Sequence, residues 1–196
     1  MHPLPPALAA MLFLAFTAAY LAIRGVFAHR VRRAKAVSRA DLRDRLLIVL
    51  VGTGQVVLPC TVVTQPLLSF AGRAQPVACT VAGVVAMACG LWLFWRSHAD
   101  LGESWSVTLE LNADHRLVTR GVYRRVRHPM YLSFFVLGVG QALLVANWIA
   151  GFAGLASTAL LVALRLPKEE AMMIEQFGDE YRGYMRRTGG IVPRWR

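Results

Sequence analysis

Residues 46–72 contain no charged side chain, and no other feature constrains the fold as tightly. A helix in water keeps a polar face, so a charge-free stretch of this length suits hydrocarbon. Four more apolar runs follow the same pattern, at about Ala7–Ile23, Pro76–Trp95, Tyr131–Ala146 and Trp148–Leu164, the last two separated only by Asn147. Charged residues make up 17% of the chain, against roughly a quarter in soluble domains. Crossing a bilayer takes ~20 apolar residues. The first three runs meet that length, and the last two are short enough to predict a tight helical hairpin turning at Asn147. The expected fold is therefore an all-α membrane protein of five spans. Three N-terminal spans and a basic loop occupy residues 1–95, and a second, functional half occupies 96–196.

The charges assign the sides. Of 22 Lys and Arg residues, all but Arg73 fall in the segments Arg24–Arg45, Arg96–Met130 and Arg165–Arg196. Five spans place these three segments on one face, as do all eleven acidic residues, and the excess of Lys and Arg predicts that this face is cytoplasmic. The N-terminus is then outside and the C-terminus inside. The formal charge of +11 is thereby explained by topology, without a nucleic-acid partner. No Lys or Arg precedes the first run, which reads as a retained span rather than a cleaved signal. Cys60, Cys79 and Cys89 lie in apolar runs without metal-ligand spacing and are expected to be buried small hydrophobes. Pro59 predicts a kink in the second span. Trp92 and Trp95 suit a membrane interface.

Polar chemistry concentrates in two places. The segment between the third and fourth runs contains SVTLEL, which alternates like a strand, NADH, which reads as a turn, and LVTRGVYRRV, which alternates loosely again. It ends in Arg127-His128-Pro129 at the start of the fourth run. Pro129 fits the first turn of a helix and places His128 at its N-cap, where free amides favour an anion. In the tail, Arg165 and Glu169 are one helical turn apart. Pro167 between them predicts a kink or a restart, with Glu169 and Glu170 near a helix start. Met173, Phe177, Tyr181 and Tyr184 follow as one apolar stripe, predicting an amphipathic helix.

Together, HRLVTRGVYRRVRHPMY, the apolar hairpin, RLPKEE and EQFGDEYRGYMRRTGGIVP resemble the isoprenylcysteine carboxyl methyltransferases, in particular their short five-span prokaryotic members. These are integral membrane enzymes that use S-adenosylmethionine. The resemblance spans about Leu101–Pro193 and is architectural over the first three runs. It implies a cofactor pocket lined by His115, Arg116, Leu117, Val118, Tyr123, His128, Pro129, Met130, Tyr131 and Glu169. It also implies a substrate side at Arg165, making Arg165 and Glu169 the catalytic pair. Glu110 stands in the region where eukaryotic members have a glutamine. The implied substrate is a lipophilic acid entering from the bilayer, methylated on its carboxylate. No GxGxxG motif is present, so a Rossmann-type pocket is not expected. Three alternatives share parts of the pattern. Phospholipid N-methyltransferases have RHPxY and the paired glutamates, and sterol-reductase-type enzymes, which use NADPH, have distantly similar C-terminal motifs. A non-catalytic anchor binding anionic lipid through the basic face is the third.

Overall fold

A computed structural model describes residues 6–31, 42–102 and 117–194. The described residues form helices and turns without a strand. The helices are α1 (Pro6–Val31), α2 (Leu42–Gly52), α3 (Leu58–Thr64), α4 (Val77–Leu101), α5 (Pro129–Leu144) and α6 (Trp148–Arg187). Among the described residues four stretches are long and apolar enough to cross a membrane: Ala7–His29, Leu42–Thr64, Val77–Leu101 and Trp148–Arg187. The 16 residues of α5 reach about 24 Å at 1.5 Å per residue, less than the ~30 Å of a hydrocarbon core. The bundle is thus all-helical with four long apolar stretches and one short apolar helix.

Helix α5 packs between α4 and α6. Phe94 of α4 is fully buried, its ring 4.7 Å from that of Tyr20 on α1 and 5.7 Å from that of Phe134 on α5. The turn between α5 and α6 is built by Asn147. Its side chain accepts from Ala150 N (3.0 Å), capping α6, and donates to Leu68 O (2.7 Å). Arg73 donates to the carbonyls of Ala142 and Val145 at the end of α5. The one basic residue outside the three charged segments therefore caps helix carbonyls that would otherwise lack partners.

Pro59 does not itself mark the irregularity of the second apolar stretch. Residues Thr53–Val57 form a π-helical turn between α2 and α3, and Pro59, which has no N–H to donate backward, follows two residues later. Polar side chains support this turn from elements far along the chain. Gln141 donates to Gly54 O (2.9 Å) and Ala150 O (2.7 Å), and Gln55 donates to Thr158 Oγ1 (2.8 Å) and Phe134 O (3.2 Å). In an apolar setting such groups must find partners inside the protein. Gly54 permits the close approach: a Cβ there would sit 2.5 Å from Ser157 Oγ and 2.7 Å from Ala153 O.

Three further expectations need correction. Pro167 does not restart its helix: α6 keeps helical backbone angles through it, and the non-helical residue inside is Gly178 (φ 53°), where the helix kinks. Glu169 and Glu170 therefore lie in mid-helix, on a segment that continues the fifth apolar run as far as Gly178. Pro167 is exposed. Second, LVTRGVYRRV forms no strand: Gly121–Arg124 is a 3-10 turn, anchored from α4 as described below. Third, the cysteines are not buried. Cys60 and Cys79 are half-buried and Cys89 is exposed, all three free; Cys60 packs against the edge of the core, and at Cys89 an apolar side chain also suits lipid. SVTLEL and NADH lie outside the described residues.

Candidate functional site

The site begins where α5 begins. Pro129 occupies its first turn and His128 is the N-cap, with φ −122° and ψ 62° and no side-chain cap bond. Its imidazole is engaged by the chain itself: His128 Nε2 lies 3.1 Å from Glu170 Oε1. The His128 ring stacks on that of Tyr131 at 5.8 Å and 25°, and the Tyr131 hydroxyl donates to Glu169 Oε2 at 2.6 Å. Neighbouring residues on a helix diverge by about 100°. The two glutamates of α6 therefore serve different partners, Glu169 holding Tyr131 and Glu170 holding Arg127 and His128. Arg165, one turn before Glu169, is 7% exposed. Asp44, in the first turn of α2, is in turn paired with Lys168 of α6 at 2.7 Å.

A second group of contacts holds the loop leading into α5. Gly121 has φ 59°, a conformation that glycine adopts without strain, and a Cβ there would strike the Asp100 carboxylate. That carboxylate accepts from Val122 N at 2.9 Å. Tyr123 is buried, its hydroxyl donating to Ser97 O at 3.2 Å, while Tyr184 donates to the Tyr123 carbonyl. Burial, reinforced by the negative charge of Glu169, pushes the Tyr123 hydroxyl above its ordinary range, so it remains a donor. Leu117 and Val118 are half-buried at the start of this loop.

Arg127 joins the loop to the end of α6. Its guanidinium donates to Glu170 Oε1 (2.8 Å from Nη2, 3.2 Å from Nε), to Met185 O (3.3 Å) and to Thr188 O. Its backbone N–H donates to Gly189 O (2.8 Å), and that of His128 donates to Gly190 O (3.1 Å). Glu170 lies past the apolar part of α6. The hydrogen bond from His128, with those and the charge of Arg127, holds its carboxyl at about 2.

Among the residues picked out from sequence, Tyr131 joins two: its hydroxyl bonds Glu169 and its ring stacks on His128; Arg165 lies one helical turn before Glu169 on α6, and Tyr123 is buried in the loop before α5. Pro129 is buried in the first turn of α5, and Met130 packs against the apolar core. His115, Arg116 and Glu110 lie outside the described residues. Sequence reasoning left out Arg127, Glu170, Asp44 and Lys168. The first two were legible as parts of RHPMY and the paired glutamates. Asp44 had only its place among basic residues, and Lys168 none. The assembled site sets a cation, Arg165, one helical turn from an anion, Glu169, whose carboxylate accepts from the Tyr131 hydroxyl. Such an arrangement can hold an anionic and a cationic group next to each other. Among the described residues no cluster of His, Cys, Asp or Glu has the grouping of a metal site.

Residues 74–175 match the family model described as the isoprenylcysteine carboxyl methyltransferase (ICMT) family. The chain is 32% identical over 106 residues to a protein-S-isoprenylcysteine O-methyltransferase of Schizosaccharomyces pombe, covering 53% of this chain and 45% of that one. It is 33% identical over 94 residues to protein-S-isoprenylcysteine O-methyltransferase A of Arabidopsis thaliana, covering 47% and 48%. With the Dictyostelium discoideum protein of the same name it shares 36% over 86 residues, covering 43% and 35%. The chain thus spans about half the length of the curated relatives it matches. Its fold is similar to the solved eukaryotic intramembrane Ras methyltransferase ICMT, with a TM-score of 0.62 at 20% identity, over 96% of this chain and 68% of that one.

Proposed function

Because the chain belongs to the isoprenylcysteine carboxyl methyltransferase family, we propose that it is a membrane methyltransferase that uses S-adenosylmethionine to esterify the carboxylate of an isoprenylcysteine-like lipophilic acid. The observation that carries this reading is the Tyr131–Glu169 hydrogen bond beside Arg165, inside the residues that match the family. In this reading residues 96–196 form the catalytic half, and α5 with the apolar part of α6 is the short hairpin of a five-span bundle. The N-terminus lies outside, and the site and C-terminus face the cytoplasm.

The donor set fits the cofactor. S-adenosylmethionine supplies a methyl group on a cationic sulfonium, together with an amino-acid head and an adenine ring. A carboxylate and stacked aromatic rings suit such a cation, and Glu169, Tyr131 and His128 provide both. Leu117, Val118, Tyr123, Pro129 and Met130, with His115 and Arg116, complete the proposed lining. Arg165 holds the acceptor carboxylate by its planar fork. A carboxylate is already ionised near neutral pH, so the protein has no proton to remove. Its work is to align the two reactants and keep water from the oxygen.

Equilibrium binding to the detergent-purified protein tests the cofactor assignment. S-adenosylmethionine binds and NADPH does not. His128→Ala, Tyr131→Ala and Glu169→Ala each weaken the affinity about ten- to a hundredfold, the worth of a polar contact to a charged ligand. Unchanged affinity in all three folded variants would remove this pocket. Topology has its own measurement. Reporters fused at Met1 and Arg196 read opposite sides, the C-terminal one cytoplasmic. Two reporters on one side mean that α5 does not cross.

A further inference from the structure

The carboxylate of Asp100, in the last turn of α4, bonds a backbone amide 22 residues further along the chain: Val122 N donates to Asp100 Oδ2 at 2.9 Å. Its other oxygen meets Arg96, one turn earlier on the same helix, at 2.8 Å. The Asp100 side chain is 12% exposed and that of Arg96 35%. Immediately before Val122, Gly121 has φ 59°, and a Cβ there would collide with the Asp100 carboxylate. Glycine meets both demands without strain, so the backbone comes up against the carboxylate at the one residue type that allows it. A second bond to α4 lies beside the first: the Tyr123 hydroxyl donates to Ser97 O at 3.2 Å. The reaction as proposed uses none of Asp100, Arg96 and Gly121.

What this clasp holds is continuous with the proposed cofactor wall. From Val122 the chain makes one tight turn, Val122 O accepting from Arg125 N (3.2 Å) and Val126 N (3.3 Å). Val126 is buried, and two residues later His128 caps α5, its ring stacked on that of Tyr131. A turn bonded in this way has little slack, so displacement at Val122 is passed on to Tyr123 and His128. Without the carboxylate, the part-buried Val122 N–H has to turn toward water or another acceptor. The acceptor side is built differently: Arg165 stands on α6, which packs on α2 and α5. We propose that Asp100 is a positioning residue for the cofactor, which by accepting from Val122 N–H sets Tyr123 and His128 in place opposite Glu169. It acts through the amide bond rather than through its pair with Arg96, and it touches neither reactant. The proposal rests on the reading of Tyr123 and His128 as cofactor lining given above.

Asparagine separates the two bonds of Asp100, because it keeps an oxygen for Val122 N–H and loses the charge that Arg96 pairs with. Three quantities are measured on the full chain in detergent: S-adenosylmethionine affinity by equilibrium binding, KM for an S-farnesyl thioether carboxylic acid at saturating cofactor, and thermal melting. The proteins are wild type, Asp100→Ala, Asp100→Asn, Arg96→Met and Gly121→Ala. Asp100→Ala is expected to weaken cofactor affinity about tenfold, the worth of one hydrogen bond to a charged group, with KM for the acid changed less than threefold. Asp100→Asn is expected to restore cofactor affinity to within threefold of wild type. Arg96→Met stays within threefold as well, since a pair with a part-exposed arginine adds little. Gly121→Ala, which removes no charge but pushes the carboxylate aside, is expected to lose as much affinity as Asp100→Ala, and it takes the place of that variant if Asp100→Ala does not fold. Wild-type cofactor affinity in a folded Asp100→Ala protein, with only its melting lowered, overturns the proposal in favour of a structural tie. Asp100→Asn or Arg96→Met as weak as Asp100→Ala overturns it in favour of the ion pair, and equal losses in cofactor affinity and acid KM overturn it in favour of a general distortion. A wild-type protein that binds no S-adenosylmethionine is a separate result, and it defeats the functional reading itself.

Discussion

Arg165→Lys and Arg165→Ala each cut turnover of an S-farnesyl thioether acid about a hundredfold or more, while S-adenosylmethionine affinity changes less than threefold. The expectation comes from where Arg165 sits and what the reaction asks of it. Its side chain is nearly buried, on the face of α6 that also carries Glu169. Glu169 in turn accepts from the Tyr131 hydroxyl. A group in that position holds the acceptor against the cofactor, and misplacement by about 1 Å costs about a hundredfold in rate. Lysine keeps the charge but has no planar fork, so it cannot fix a carboxylate at two points. Cofactor contacts, by contrast, are assigned to Glu169, His128 and Tyr131, which the substitution leaves in place. The matching substrate change is replacement of the acid by its amide, which loses the charge Arg165 binds and is not methylated. If the amide is turned over equally, or if phosphatidylethanolamine is methylated and the prenyl acid is not, the acceptor is not a carboxylate. The phospholipid N-methyltransferase reading then replaces it.

Much of this arrangement could be read from the chain because its signals are local. Charge-free runs report helices suited to a membrane, Asn147 reports the turn between α5 and α6, and Pro129 after His128 reports the start of α5. The motifs around Tyr131 and Glu169 named the two residues that form the 2.6 Å bond, although nothing in their spacing measures it. What escaped reading depends on partners far apart. The π-helical turn at Thr53–Val57 is supported by Gln141 and Thr158, and no local pattern separates it from an ordinary helical turn before a proline. The break in α6 was expected at Pro167, the stronger local signal. It falls instead at Gly178, where a positive φ, accessible to glycine without strain, marks the change of direction before Tyr181 and Tyr184 pack inward. Asp44 sits in a stretch whose basic residues suggested only topology. Its ion pair with Lys168 emerges once α2 is laid against α6.

The largest structural loss is expected from Arg127→Ala. This side chain is 11% exposed and joins three things that no other described residue joins: the Glu170 carboxylate, the carbonyls of Met185 and Thr188 at the end of α6, and the N-terminus of α5. Truncation leaves a partly buried carboxylate with His128 alone and two helix-end carbonyls without their donor. Breaking a buried pair by removing one partner costs about 3–5 kcal/mol. Glu170 is 22% exposed, so solvent reduces this to about 2–3 kcal/mol. Acid sensitivity changes with it. Hydrogen bonds from His128 and Arg127 hold the Glu170 carboxyl at about 2, below its unfolded value of 4.5. A depressed carboxyl contributes stability that is present above the unfolded value and lost as pH falls from about 4.5 toward 2. In Arg127→Ala the folded value moves back toward the unfolded one, so less stability remains to be lost across that window. Thermal unfolding in detergent at pH 7, 5 and 3 reads both effects. Arg127→Ala melts well below the wild-type protein at pH 7, and the gap narrows at pH 3. Glu170→Gln gives the same narrowing with a smaller loss at pH 7, because a neutral amide still accepts from Arg127. An Arg127→Ala protein with wild-type melting and unaltered pH dependence would show that the end of α6 is held by the backbone bonds from Arg127 and His128 to Gly189 and Gly190 alone.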